Sequence, residues 1–428
     1  MITALLFGTF GVMLLLGVPI AVALGLAGTG TIALAHLGVL AVPTNVYSGI
    51  AKYPLLTIPM FVLAGTIFDR SGVAQKLVRF ATAIIGHGRG SLAVIAVIVA
   101  MMMGGISGSG PAIAAAVCGV MAPSMIRAGY PRPYIAGVIA AAAATDILIP
   151  PSVALIIYSV LVPSAPVTAM FAAGIIPGTL AGLALIIPTL WLAIRHDLGR
   201  EHAKEKRPPF WASFKDAFLG LFAKVLILGG LRFGAFTPTE AAVVAVVYGL
   251  LLGMVVYRTV KLRDLYDMMV EAAEISAVIL SVVALASVFG WAMSTLSIID
   301  PIAKGIVNLG IGEYGVMALL MVMLIIIGTF LDGVSTFIIL LPLLIPIAET
   351  YHWDLVWFGV LLTLKIAIGQ FTPPMAVNLM VTCRLTGCSI ESTVPWVMWL
   401  ILTLFLTLAA VVVWPDLALW LPHRLGFT

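Results

Sequence analysis

GISGSGPA, Gly105 to Ala112, interrupts one apolar run, and ILIPPS, Ile147 to Ser152, interrupts the next. The same two kinds of break recur as GTFLDGVST, Gly328 to Thr336, and QFTPPMAVN, Gln370 to Asn378. From Ser109 to the first Pro-Pro pair is 150 − 109 = 41 residues, and from Asp332 to the second is 373 − 332 = 41, so one unit of architecture is present twice. In lipid an opened backbone must be satisfied inside the protein, so such breaks are tolerated only where they are buried or line a cavity. Gly/Pro-interrupted apolar segments at matching places in two halves point to the binding site of a secondary transporter.

The rest of the chain sets the medium. Of 428 residues, 62% are hydrophobic and 9% charged, and the mean hydropathy is +1.19. Such a balance belongs to a polytopic helical membrane protein. The first apolar stretch starts at Ile2 without a basic n-region or a small-residue cleavage site leading into a polar chain, and reads as a mature membrane segment. The net charge of +4 comes from basic residues gathered in a few short loops. The positive-inside rule produces that pattern by itself, so no nucleic-acid partner is expected. Cys118, Cys383 and Cys388 lie in or beside apolar segments and read as small hydrophobes rather than a disulfide or metal site.

Charge also orients the breaks. His87 and Arg89 precede the first and Arg127 and Arg132 follow it, whereas the flanks of the second, Asn308 to Gly315 and Glu349 to Asp354, hold acids and no Lys or Arg. The first pair of flanks should be cytoplasmic and the second external. The arms beside each break, such as Ser91 to Gly104, hold about 14 residues and reach roughly 21 Å, short of a hydrocarbon core of about 30 Å. Each arm pair therefore reads as a re-entrant helical hairpin, one from each side, in an all-α fold with an inverted-topology repeat and two broken helices. The repeat extends further: Pro19 in LLGVPIA matches Pro238 in AFTPTEA at 238 − 19 = 219 residues, close to the hairpin interval of 332 − 109 = 223. Helices are expected over Thr57 to Asp69, Val73 to Ile85, Ile275 to Thr295 and Pro301 to Leu309. The charged linker Arg195 to Lys215 is cytoplasmic by the same rule, both chain ends fall outside, and Phe210 to Leu231 either spans or lies at the interface.

The breaks also locate the chemistry. Ser107, Gly108, Ser109 and Gly110 offer hydroxyl and carbonyl oxygens that no helix uses, and the prolines of ILIPPS free the carbonyls around Ile149 and Pro150. In the second half the matching oxygens come from Asp332, Gly333, Ser335, Thr336, Thr372 and Pro373. Carbonyl and hydroxyl oxygens at helix ends suit a hard monovalent cation, and half-helix N-termini favour an anion. Two pseudo-symmetric cation sites are expected, with an anionic substrate held by Ser109, Pro151, Ser152, Pro374 and Asn378.

These motifs resemble the large membrane subunit of tripartite ATP-independent periplasmic (TRAP) transporters. The resemblance covers essentially the whole chain: LLGVPIA, PMFVLAG at Pro59 to Gly65, GISGSGPA, MIRAGY, ILIPPS, FTPTEAA at Phe236 to Ala242, Leu331-Asp332 and FTPPMA. It implies an elevator-type transport domain beside a scaffold, sodium as coupling ion, a small membrane subunit, and a periplasmic substrate-binding protein that delivers a carboxylate across the bacterial inner membrane. Because the chain opens directly on the large-subunit pattern, a separate small subunit is expected.

On that plan, 1–70 are scaffold spans of the first repeat, 71–165 the first transport-domain part and 166–195 a scaffold span. Then 196–215 form the cytoplasmic linker, 216–297 the scaffold spans of the second repeat, 298–390 the second transport-domain part and 391–428 the C-terminal scaffold span and tail.

Two residues depart from the family pattern. Asp146 stands just before ILIPPS and Lys365 just before the second Pro pair. Charges inside spans usually face the interior and pair, so an Asp146–Lys365 ion pair, or a modified ion site, is expected. Glu240, Glu271 and Glu274 read as structural, and Trp353, Trp357, Trp396 and Trp414 as interfacial anchors. An intramembrane serine hydrolase, suggested by Gly105-Ile106-Ser107-Gly108, lacks a base within reach, since His36, His87, His196, His202, His352 and His423 all fall at loops or span ends. No GxxxxGK[ST] loop supports a nucleotide-driven pump. A stand-alone ion-coupled anion symporter or exchanger of the same architecture is the alternative.

Overall fold

A computed structural model describes residues 2–105, 108–200, 207–328, 333–374 and 376–427, leaving out the side chains at 300, 333–335 and 338. The first half runs α1 (Ile2–Leu15), α2 (Ile20–Leu34), α3 (Ala41–Ile50), α4 (Thr57–Arg70), α5 (Val73–Ile85), α6 (Ser91–Met103), α7 (Gly110–Arg127), α8 (Arg132–Ala144), α9 (Val153–Leu161) and α10 (Val167–Arg195). The second runs α11 (Phe210–Arg232), α12 (Pro238–Leu250), α13 (Leu262–Thr295), α14 (Ile299–Val307), α15 (Gly312–Gly328), α16 (Gly333–Thr350), α17 (Leu355–Gly369), α18 (Val377–Thr386), α19 (Ile390–Val413) and α20 (Asp416–Leu425).

The repeat holds element by element. Helices α7 and α16 start 333 − 110 = 223 residues apart and end 350 − 127 = 223 apart. The same interval separates the starts of α8 and α17, 355 − 132 = 223, and those of α10 and α19, 390 − 167 = 223. The Pro-Pro pairs obey it too, 373 − 150 = 223. Where the second half has the single 34-residue α13, the first has α3 and α4, bent by 61° across a short break.

Among the described residues five helices are long and apolar enough to cross a membrane, or seven if each of two bent pairs counts as one span. The second bent pair is α8 with the 3₁₀ turn that follows it, joined to α9 at 40°. The 13 residues of α6 reach only about 20 Å, too little to cross. Large apolar side chains such as Leu15, Ile187 and Val278 stay exposed on the outer surface, which a membrane solvent tolerates and water does not.

Helix α8 packs on α7 of its own half and on α18 and α19 of the other, so the two halves interlock. Glycines on α10 let it press against the breaks. A Cβ at Gly174 would run into the Leu148 carbonyl, one at Gly178 would lie 3.0 Å from Leu148 and Ile149 side-chain atoms, and one at Gly182 would lie 2.5 Å from the Met101 sulfur. Small residues at this four-residue spacing are how membrane helices approach closely.

Charged residues near the helix ends pair with one another. Arg70 pairs with Glu271, Arg79 with Asp216, and Arg89 and Arg200 with Asp197. Arg207 donates to the Ile85 carbonyl at 3.0 Å, closing the end of α5. Glu240 sits in a capping box with Thr237 at the start of α12, so its role is structural.

Two expectations are corrected. Helix α13 begins at Leu262 rather than Ile275, because the charged turns from Asp264 to Glu274 continue the helix on an exposed face instead of ending it. Trp353 and Trp357 are buried at 7% exposure each and are not interfacial anchors. The Trp353 indole N–H donates to the exposed Glu313, and that of Trp357 to the buried Val411 carbonyl.

Candidate functional site

Helix α6 stops at Met103, and Gly105 turns the chain at φ +73°. A side chain cannot follow there: a Cβ would overlap the Pro150 carbonyl and lie 2.9 Å from the Ile149 carbonyl oxygen. Glycine is the residue that tolerates both the left-handed backbone and the close approach. The GISGSGPA break thus stands directly on the carbonyls of ILIPPS. Between α8 and α9 lie a 3₁₀ turn, Thr145–Leu148, and an extended Ile149. The Ser152 hydroxyl donates to the Ile147 carbonyl at 2.6 Å and accepts from the Leu155 N–H at 3.4 Å, so both bonds hold the break itself.

On the far side of the tip, Gly108 turns at φ +64° and Ser109 is extended at the N-cap position of α7, with no side-chain capping bond. The start of α7 then runs into the other half of the chain. A Cβ at Gly110 would lie 2.6 Å from the Gln370 side-chain oxygen and 3.0 and 3.1 Å from the amide atoms of Asn378. Asn378 is fully buried. Its amide nitrogen donates to Gln370 Oε1 at 3.2 Å and to the Ala140 carbonyl at 3.4 Å, and its backbone N–H donates to the Gln370 carbonyl at 3.0 Å. Its Oδ1 has no hydrogen-bond partner among the described residues. A buried oxygen left over beside a helix N-terminus is a group that a ligand can complete.

In the second half, α17 ends against α15: a Cβ at Gly369 would lie 2.7 Å from the Gly328 carbonyl. The Thr372 hydroxyl donates to Ile368 at 2.6 Å, just ahead of Pro373 and Pro374. Gly333 opens α16 and Thr336 is buried in its first turn. Ser107, Asp332 and the side chain of Ser335 lie outside the described residues.

The two buried charges are not partners. Asp146, with no exposed surface, accepts the Gly105 N–H on Oδ1 at 2.7 Å, and its cationic neighbour is Lys224 on α11. Lys224 donates from Nζ to the Met101 carbonyl at 3.1 Å. Lys365, buried at 1% exposure, lies instead beside Gly328, 3.5 Å from where a Cβ there would stand. Its ammonium has no hydrogen-bond partner among the described residues. The expected Asp146–Lys365 pair fails because each side chain faces the interruption of its own half.

A cavity of about 480 Å³ opens between α13 and α16, lined by Ser294, Ser297, Pro342 and Pro346 among others, and none of the described tip residues lines it. The arrangement at the first break is a set of buried oxygens from two helices and a carboxylate, next to helix N-termini. Such a set can hold a desolvated hard cation and an anion side by side.

The family model described as "Tripartite ATP-independent periplasmic transporter, DctM component" matches residues 7–417. The chain belongs to this family. It is 34% identical to the C4-dicarboxylate TRAP transporter large permease protein DctM of Pseudomonas aeruginosa, over 95% of each chain. It is 32% identical to the sialic acid TRAP transporter large permease protein SiaM of Vibrio cholerae, over 98% of this chain and 97% of that one. Against the isethionate TRAP transporter permease protein DctMQ of Oleidesulfovibrio alaskensis, 35% identical over 90% of this chain, it spans 61% of the relative's length. The fold is that of the Alcanivorax borkumensis YdaH transporter, with a TM-score of 0.61 at 15% identity, covering 89% of this chain and 88% of that one.

This DctM-family protein is thus a multi-pass membrane transporter subunit and not an enzyme. Sequence reading had singled out neither Lys224 nor the side chain of Gln370. Gln370 opens the second Pro-Pro stretch and was legible as a polar residue there. Lys224 stands out as the sole charge between Asp216 and Arg232, but nothing along α11 says which helix it meets.

Proposed function

We propose that this chain is the large permease subunit of an ion-coupled uptake system for a small organic acid in the bacterial inner membrane, with sodium as the coupling ion. A periplasmic binding protein delivers the carboxylate, a small TRAP membrane subunit completes the membrane complex, and the unit carrying the breaks moves against the remaining spans as an elevator. The observation that carries this reading is the meeting at Gly110 of the hairpin-one tip with Gln370 and Asn378. One half supplies freed carbonyls and a helix N-terminus, and the other supplies the amide oxygens of half-buried Gln370 and buried Asn378.

Two features support sodium. The oxygens near Gly105 are hard donors from Ile149 and Pro150, and Asp146 Oδ2 and Asn378 Oδ1 are buried without hydrogen-bond partners among the described residues. Relatives named for C4-dicarboxylate and sialic acid support a carboxylate substrate.

The test is reconstitution of the large and small subunits in liposomes, with the binding protein outside and a panel of C4-dicarboxylates, sialic acid and isethionate. Uptake of a carboxylate that requires both partners and an inward sodium gradient is expected. Uptake indifferent to sodium removes the ion assignment, and uptake by this chain alone supports the stand-alone symporter instead.

A further inference from the structure

The break after α6 opens one specific hydrogen bond. In a continued helix the Gly105 N–H would donate to the Met101 carbonyl, four residues back. Here each group has a charged replacement: the Gly105 N–H donates to Asp146 Oδ1 at 2.7 Å, and the Met101 carbonyl accepts from Lys224 Nζ at 3.1 Å. The two oxygens flank a single glycine, at 3.2 and 3.3 Å from where a Cβ on Gly104 would stand. An acid on the first broken helix and a base on α11 therefore converge on one turn, and that turn carries the hairpin-one tip.

We propose that Lys224 is a tethered counter-cation for Asp146 and thereby sets the cation affinity of the hairpin-one site. The inference rests on the functional reading above, in which a cation binds at this tip. A charge at membrane depth is costly unless it is offset, and an acid and a base that approach the same turn offset one another. Asp69, at the end of α4, is the other charged group that acts on Asp146. A lysine that merely snorkelled would send its ammonium to the aqueous edge, whereas Lys224 spends a hydrogen bond on a main-chain carbonyl at the end of α6. The Asp146 oxygen left over, Oδ2, has no hydrogen-bond partner among the described residues and is free to face an incoming cation. Lys224 is a positioning residue in this scheme: it touches no ion and acts through the field it places on Asp146.

Opposite signs test the idea. Sodium binding is read as the sodium-dependent rise in thermal midpoint of the purified large and small subunits, with choline at equal ionic strength as reference. Lys224→Met removes the counter-cation and, at alkaline pH where the carboxylate stays ionised, is expected to lower the sodium concentration for half-maximal effect by about tenfold. Asp146→Asn is expected to raise it by a similar factor, Lys224→Arg to leave it within about twofold, and the double variant to return it near the parent value. A purely structural role moves both single variants in the same direction, and that result overturns the proposal, as does a double variant no better than the worse single. Should the parent protein show no sodium effect, it is the coupling-ion reading that fails. The pairing is then read from midpoints in choline: a double variant above both singles supports it, and one below both overturns it.

Discussion

Asp146 and Lys224 cap the two ends of one opened helical hydrogen bond, the carboxylate on the Gly105 N–H and the ammonium on the Met101 carbonyl. At the same place in the second half a glycine stands for the acid, and the nearby charge is the Lys365 ammonium. Gly369 stands at 369 − 146 = 223 residues and Gly328 at 328 − 105 = 223, and those two glycines meet backbone to backbone. The halves share a fold and differ in electrostatics, so they should differ in ion affinity.

Gly105→Ala is the most damaging single change expected at the tip. A left-handed backbone costs an L-residue about 1–2 kcal/mol, and the added Cβ would also displace the Pro150 carbonyl. Uptake per folded transporter should fall at least about tenfold, the effect of roughly 1.4 kcal/mol. Gly119→Ala, at a helical position with nothing within 4 Å, should leave uptake unchanged in the same liposome assay.

Asn378→Ala removes the donor to Gln370 Oε1 and the free Oδ1 together. A buried acceptor left without a partner costs about 1–3 kcal/mol, so uptake should drop by about tenfold or more. If Asn378 touches the substrate, half-saturation for the transported acid rises in this variant while the half-saturation for sodium changes less. Titrating each at saturating levels of the other separates the two.

How the breaks were legible, and what was not, follows from the physics of a helix. Proline and glycine disturb the backbone where they stand, so Gly105, Gly108 and both Pro-Pro pairs announced their breaks, and the interval of 41 residues announced the repeat. Helix α5 falls on the expected Val73 to Ile85 because glycines bound it at both ends. Partners across the fold left no such mark. Asp146 and Lys365 were each visible as a charge in an apolar run, but periodicity along one helix does not reveal which neighbour it faces. Trp353 and Trp357 misled for a related reason: nearness to a span end resembles an interfacial belt, and only packing shows that Glu313 and Val411 take their N–H groups.

Lys365→Met should raise stability and lower function. An ammonium with 1% exposure and no hydrogen-bond partner among the described residues carries a desolvation cost that those residues do not offset, and Met fills nearly the same volume. Relief of about 1–3 kcal/mol should appear as a higher thermal midpoint in detergent. Uptake should fall nonetheless, because the variant removes the buried charge that Lys365 places beside Gly328, against the second break. An unchanged midpoint with unchanged uptake counts against any role for this side chain.

The central claim is that oxygens from the two interruptions together hold the coupling ion. Its most direct test is the thermal midpoint of the purified large and small subunits titrated with sodium against choline at constant ionic strength, for the parent protein, Gly105→Ala and Asn378→Ala. Ligand linkage gives about 2.7 kcal/mol of stabilisation at a hundredfold excess over Kd, so the parent should show a saturable rise specific to sodium. That rise should vanish in Gly105→Ala and weaken in Asn378→Ala. An equal rise in choline, or a full sodium response in both variants, contradicts the account.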